Sequence, residues 1–364
     1  MKGNTEYNTR INVINGIAAA AAVNLVNPFF AKFAERIGAS EIEIALLSSL
    51  PAFISVFALI PGAIMIDVLG QKQRTTAAFM FLNKLFLLLI ALIPFVPDHV
   101  TFKPFLFVLM IALMNFPGSI YTNGYNSSIA DIFDPRERGR ATALRNRFSD
   151  ITRITITLLS GVIMMIPKTN SEVIMLYQIY FVVAFGLSLI EISTFRAFRF
   201  PETAPQEVDK TNKIKRSLEA LKKSIAFTVK DKEYRAFLIC SLLFHFGWQM
   251  GWALFTVYQI KVLHATEIWF SAINIAAALA SIFTATAWMR FADRKSHTFT
   301  IIFATFGMSV TPFLYVMSTS LYELVFYNVI IGFSITGTTL LLLNIMLNRT
   351  PSENRTTIMS IYST

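Results

Sequence analysis

Charge is scarce in this chain. Of its 364 residues only 15% are Asp, Glu, Lys or Arg, against about 25% in an ordinary soluble domain. Cysteine is nearly absent: Cys240 is the single one and lies inside an apolar run, which excludes intrachain disulfides and multi-cysteine metal sites. No GxxxxGK[ST] loop occurs, so the sequence carries no mark of a nucleotide-driven pump. The N-terminus, MKGNTEYNTR, has no apolar signal core or cleavage site, so the first apolar segment is expected to be retained. A membrane-embedded enzyme would need clustered His, Asp, Glu or Ser at one depth, and only His245 and Asp150 are available.

What is abundant is apolar. Hydrophobic residues make up 54% of the chain, Phe alone numbers 34, and the mean hydropathy is +0.56. A membrane crossing needs about 20 mainly apolar residues. The segments near 11–33, 42–66, 75–97, 104–130, 139–166, 172–197, 236–262, 267–290, 298–318 and 321–348 qualify. The expected fold is therefore an all-α polytopic membrane protein with about ten spans. The net charge of +10 is not gathered on one soluble face, so nucleic acid is not an expected partner. Lys and Arg concentrate instead in alternate gaps: Lys72 and Arg74; Arg136, Arg138 and Arg140; a basic linker; Arg290, Arg294 and Lys295; Arg349 and Arg355. That alternation puts these gaps and the N-terminus on the cytoplasmic side of the cell membrane.

The longest gap, about 198–235, opens with Pro201 and Pro205, which stop the sixth span. Ile214, Leu218, Leu221 and Ile225 then recur at helical spacing among lysines. Such a basic amphipathic helix either lies on the inner membrane surface or connects in solvent. Residues 1–198, 199–235 and 236–364 are thus expected as a six-helix bundle, a linker and a second bundle.

The two bundles share a pattern. Ala39-Ser40-Glu41-Ile42 matches Ala265-Thr266-Glu267-Ile268 at an offset of 226, and Asp67 matches Asp293 at the same offset. Pro135 and Glu137 match Pro351 and Glu353 at an offset of 216, the difference falling in a shorter loop near 318–321. Span n therefore pairs with span n plus six. The second copy stops at Thr364, where an eleventh span would open, so a six-plus-four arrangement lacking the last two spans is expected.

The run Gly62-Ala-Ile-Met-Ile-Asp67-Val-Leu-Gly70-Gln-Lys72-Gln-Arg74 resembles the signature loop of the major facilitator superfamily, between its second and third spans. Residues 288–295, with Asp293 and Arg294, look like its degenerate copy, and Asp134–Arg140 is similar to the loop between spans four and five. Val68 departs from the pattern, since a basic residue usually follows that Asp. The resemblance implies two pseudo-symmetric bundles and a cytoplasmic gate in which Asp67 meets the helix start at Arg355 and Asp293 meets that at Arg138–Thr142. Helix N-termini carry unpaired N–H groups and partial positive charge, which suits both contacts. Gly62 and Gly70 would permit close approach and a tight turn. Arg140 belongs to the same gate. The plainer reading pairs the two aspartates with Lys72 or Arg294 nearby.

The family's central path runs along spans one, four, seven and ten. Those spans carry polar stripes here: Asn24 and Asn27; Asn115, Ser119, Thr122, Asn123 and Asn126; His245, Trp248, Gln249 and Trp252; and Asn328. Each stripe could equally be helix–helix glue or packing. Arg147, Asp150 and Arg153 share one face of span five, where they would form either an anion or coupling-ion site or a structural network. Arg145 is expected to snorkel to the inner surface. Lys84 on span three and Glu191 on span six belong to helices expected at the lipid-facing rim, and are expected to pair within one bundle.

The function these features imply is transport of a small solute by alternating access, as secondary active transport coupled to H⁺ or Na⁺ or as a uniporter, by a monomer in the bilayer, with no cofactor. A drug-type proton antiporter is the alternative within the class, weakened because 154–167 has a single Gly161 and only a terminal Pro167. A non-transporting sensor or a membrane enzyme are the alternatives outside it.

Overall fold

A computed structural model of the chain describes residues 2–68, 72–97, 102–200, 219, 222, 223 and 225–349, and among them there are helices and no strand. The chain divides into two compact units, Met1–Arg216 and Ser217–Thr364.

In the first unit α1 (Lys2–Val26) continues through a 3₁₀ turn, Asn27–Phe29, into α2 (Phe30–Arg36). Pro28 opens that turn because it has no N–H to give the preceding helix. There follow α3 (Glu41–Val68), α4 (Lys72–Leu92), α5 (Lys103–Ile132), α6 (Pro135–Ile163) and α7 (Asn170–Arg196). The helix starts are written locally. Pro104 and Pro135 occupy the first turns of α5 and α6, where the missing N–H costs nothing. Thr169 and Glu172 form a reciprocal capping box on α7.

In the second unit α8 (Lys232–Lys261) is capped by Asp231, which accepts from the Tyr234 N–H. Then come α9 (Glu267–Lys295), α10 (His297–Ser309), α11 (Thr311–Met317) and α12 (Leu321–Arg349). Pro312 separates α10 from α11 within one crossing. Glu41 and Glu267 open α3 and α9, so the 226-residue offset marks two helix starts. Residues 225–230 are helical; the rest of the expected linker helix, 201–218 with 220, 221 and 224, lies outside the described residues.

Nine helical segments among the described residues are long and apolar enough to cross a membrane. The expected fifth span is the exception. Its helix, α6, has 29 residues, but Arg138, Arg140, Arg145, Arg147, Asp150 and Arg153 crowd its first two-thirds.

Packing within each unit follows one plan. In the first, α3 lies on α5, α4 on α5 and α7, and α1 on α6 and α7. In the second, α9 and α10 both lie on α12, as α3 and α4 lie on α5. Gly62 lets α3 close on α5: a Cβ there would sit 2.7 Å from Ile120. At one end of the first unit Phe33, fully buried, holds Phe107, Tyr177 and Phe181 at ring-centroid distances of 5.0, 5.0 and 5.2 Å. Such dense contact matters because lipid is as apolar as the core, so dispersion and hydrogen bonds must hold the helices together. Phe57, Leu92, Phe95, Phe283, Phe306 and Val316 are exposed, as lipid-facing side chains are.

Candidate functional site

A cavity of about 300 Å³ opens in the first unit between α1, α4 and α5. It brings together four of the expected residues, Asn27, Asn115, Ser119 and Thr122, and adds Asn83, Lys84 and Tyr121. The polar wall of α5 is pre-arranged by its own backbone. Asn115 Nδ2 donates to the Ile111 carbonyl (2.8 Å), Ser119 Oγ to the Asn115 carbonyl (3.0 Å), and Thr122 Oγ1 to the Gly118 carbonyl (2.9 Å). Each group spends a proton on its helix, and that bond leaves its side-chain oxygen available as an acceptor. Pro117 removes one helical N–H from this wall. Beside it Asn83 Nδ2 crosses from α4 to the Met114 carbonyl at 2.7 Å. Gly118 makes the room, since a Cβ there would lie 3.0 Å from that nitrogen.

Lys84 and Glu191 form the expected pair within one bundle, and they face its interior rather than lipid. Both are 4% exposed, and Lys84 Nζ lies 3.1 Å from Glu191 Oε2, joining α4 to α7. The physical reason is cost: an ionised side chain in hydrocarbon is costly, so both turn into the bundle and pair. Lys84 also lies 5.6 Å from the Tyr121 ring centroid. Arg145 differs too. Rather than snorkelling outward it lies across Gly16 of α1 and stacks 4.8 Å from the Tyr125 ring. Gly16 has no Cβ, which leaves the passage open.

Three residues that no span-length count singles out bind this region together. Asn8, Asn12 and Asn15 are buried along α1. Asn8 exchanges two hydrogen bonds with the Arg199 backbone (2.8 and 3.0 Å). Tyr125 donates to Asn12 Oδ1 at 2.6 Å, and Asn15 Nδ2 donates to the Glu191 carbonyl at 2.8 Å. Their i, i+4, i+7 spacing was the available signal; Asn12 and Asn15 fall within the expected first span at 11–33 and Asn8 just before it.

Other expected residues stand apart from the cavity. Asn24 is half-buried and donates to its own helix at Ala20 (2.8 Å); Asn123 is half-buried and Asn126 exposed. On α6, Asp150 pairs with Arg153 at 3.2 Å, both about two-fifths exposed, while Arg147 is exposed.

In the second unit the α8 stripe is mostly aromatic. Trp248 and Trp252 lie 5.3 Å apart and both adjoin Phe255 at 6.4 Å, which stacks on Tyr315 of α11 at 4.1 Å. Asn328 and Gln259 meet at the Tyr315 hydroxyl, so Tyr315 is the organising group that the polar stripes did not reveal. His245 and Gln249 are exposed. His245 Nδ1 lies 2.8 Å from the Ser241 carbonyl and 3.4 Å from the Ser241 hydroxyl; a carbonyl only accepts, so the shorter contact calls for the proton on Nδ1.

Of the expected gate, Gly70, Arg355 and the side chain of Asp67 lie outside the described residues. Lys72 pairs with Asp131 at 2.6 Å and Ser127 at 2.8 Å, both on α5. Arg138 donates to the Ala130 and Phe133 carbonyls (2.7 and 3.3 Å) and so closes the C-terminus of α5. Arg74, Arg140, Asp293 and Arg294 are exposed.

Among solved structures the fold is similar to a variant of the nucleoside transporter NupG (TM-score 0.71, 12% identity, 97% of this chain and 86% of that one). It is also similar to a bacterial homologue of the human lysosomal transporter Spinster (0.66, 13%, 100% and 79%). The xylose transporter XylE from E. coli matches as well (0.63, 12%, 99% and 86%). No curated protein sequence matches the chain. Residues 13–364 match the family model described as Major Facilitator Superfamily. A multi-pass helical chain with a polar cavity walled by its first and fourth spans, matched over nearly its whole length by that model, belongs to the major facilitator superfamily.

Proposed function

We propose that this chain is a secondary active transporter that moves a small polar solute across the cell membrane by alternating access. The observation that carries the reading is the cavity between α1, α4 and α5, lined by Asn27 and by Asn115, Ser119 and Thr122, whose oxygens remain available as acceptors, beside a buried cation. A few convergent polar groups in an otherwise apolar cleft are what a solute site requires. The nucleoside and xylose transporters of similar fold carry solutes of this size class, which is consistent with a cavity of about 300 Å³.

The remaining expected site residues keep secondary roles in this proposal. Arg153, Asp150 and Arg147 form a second charged face, available to an anion or to a coupling ion. His245, exposed on α8, suits a proton carrier. Lys72, Arg74, Arg138 and Arg140 on the first unit, and Asp293 and Arg294 on the second, keep the gating role that the resemblance implies, with the N-terminus inside; Asp67, Gly70 and Arg355 are assigned to the same role by the motif alone. H⁺ or Na⁺ supplies the driving force, and the working unit is a monomer.

The test is uptake by the purified chain in liposomes. Asn115→Ala and Thr122→Ala should each raise the half-saturating solute concentration with little change in melting temperature. They remove acceptors from the wall, whose other hydrogen bonds are local to α5. Uptake unaffected by both substitutions would place the solute elsewhere.

A further inference from the structure

We propose that the cavity of the first unit takes a carboxylate anion the size of a sugar acid on Lys84, and that Glu191 picks up a proton as it binds. The inference rests on the transport reading above and specifies its substrate class and coupling ion. Three observations carry it. Lys84 and Glu191 pair at 3.1 Å with side chains each 5% exposed, so the bundle holds a balanced pair of charges away from water. Lys84 lines the cavity whereas Glu191 stands behind it, so an entering solute meets the cation and not the carboxylate. The volume, about 300 Å³, is at the small end of ligand cavities.

An ammonium presents three donors, of which Glu191 and the Tyr121 hydroxyl take two, leaving one for an arriving anion. An anion arriving on Lys84 makes two negative charges share one positive in a low-dielectric site, which is strongly unfavourable. Protonating Glu191 from cavity water restores balance: Lys84 then pairs with the solute, and Glu191 is neutral. When the solute leaves, Glu191 returns its proton and pairs with Lys84 again. One anion and one proton therefore travel together, and the site is electrically neutral both empty and loaded.

The groups facing the pair agree with this. From α5 come Tyr121, 5.6 Å from Lys84 at its ring centroid, and Tyr125. From α6 comes Arg145, which lies 4.8 Å from the Tyr125 ring. From α1 comes the neutral Asn15, bonded to the Glu191 carbonyl. Arg145 adds positive potential behind the site, which favours an anion further.

The full chain in liposomes loaded with a pH dye provides the test, with D-gluconate as the anionic probe and D-xylose and uridine as neutral ones. A gluconate gradient should drive gluconate entry and acidify the interior. Glu191→Gln should lose accumulation driven by external acid by at least about tenfold while gluconate exchange at equal pH falls far less. Lys84→Met combined with Glu191→Gln removes both charges, keeps a neutral core and should abolish gluconate movement; its melting temperature reports that it is folded. Gluconate movement persisting in the folded double variant overturns the proposal, as does acidification persisting in Glu191→Gln. Xylose or uridine moving while gluconate does not would overturn the anion site and keep the transport reading. No movement of any of the three would overturn both.

Discussion

A Cβ added at Gly332 would overlap the backbone of Ala277, and backbone cannot swing aside as a side chain can. Gly332→Ala should therefore force α12 off α9 and cost about 1–3 kcal/mol. Gly139 on α6 has nothing within 4 Å of the same added atom. Gly139→Ala should instead gain up to about 1 kcal/mol by restricting the unfolded chain. Melting temperatures of the two variants in detergent should move in opposite directions, and a shared direction would contradict the packing of α12. At Arg153 stability and function should separate. Its pair with Asp150 is two-fifths exposed, and such pairs contribute at most about 1 kcal/mol. Arg153→Ala should leave the melting temperature nearly unchanged while uptake falls, and Arg153→Lys should recover only part, because an ammonium lacks the guanidinium fork. A large loss of stability with intact uptake in the surviving protein would make Arg153 structural.

Helix α1 shows how an element acquires its place. Its apolar residues could face lipid at almost any rotation about its axis, but buried Asn12 and Asn15 cannot, because each unpaired polar group in hydrocarbon costs several kcal/mol. Their bonds to Tyr125 and to the Glu191 carbonyl pin the rotation that also brings Asn27 to the cavity rim. A double-mutant cycle with Asn12→Ala and Tyr125→Phe should return a coupling of about 0.6 kcal/mol and no more than about 1.7, the range of hydrogen bonds between membrane helices. Coupling near zero would mean the 2.6 Å bond does not form in the bilayer. At the other end of the unit, Thr169→Ala should cost about 0.5–2 kcal/mol through the lost cap of α7, measurable as a lower melting temperature.

For the whole molecule, the alternation of basic gaps predicts which loops face the cytoplasm. Cys240 is the single native cysteine and is exposed, so a Cys240→Ser background is needed. In that background Thr319→Cys, in the loop before α12, should react with an impermeant maleimide on intact cells, and Lys295→Cys, at the end of α9, only after permeabilisation. The reverse pattern would invert the topology. Length and apolar periodicity were enough to read the helices, the 226-residue offset marked the helix starts at Glu41 and Glu267, and the Gly62–Arg74 run carried the resemblance to the family, because each is a local or one-dimensional property. Helical spacing likewise revealed the face of α5 carrying Asn115, Ser119 and Thr122. It could not reveal which helix that face meets. The pairing of Lys84 with Glu191, the path of Arg145 over Gly16, the meeting of Gln259 and Asn328 at Tyr315, and the entry of Asn83 and Lys84 into the cavity join residues far apart in the chain. Periodicity assigns a side chain to a face of its own helix; only the packing of one helix on another decides whether that face meets lipid, a partner or a cavity.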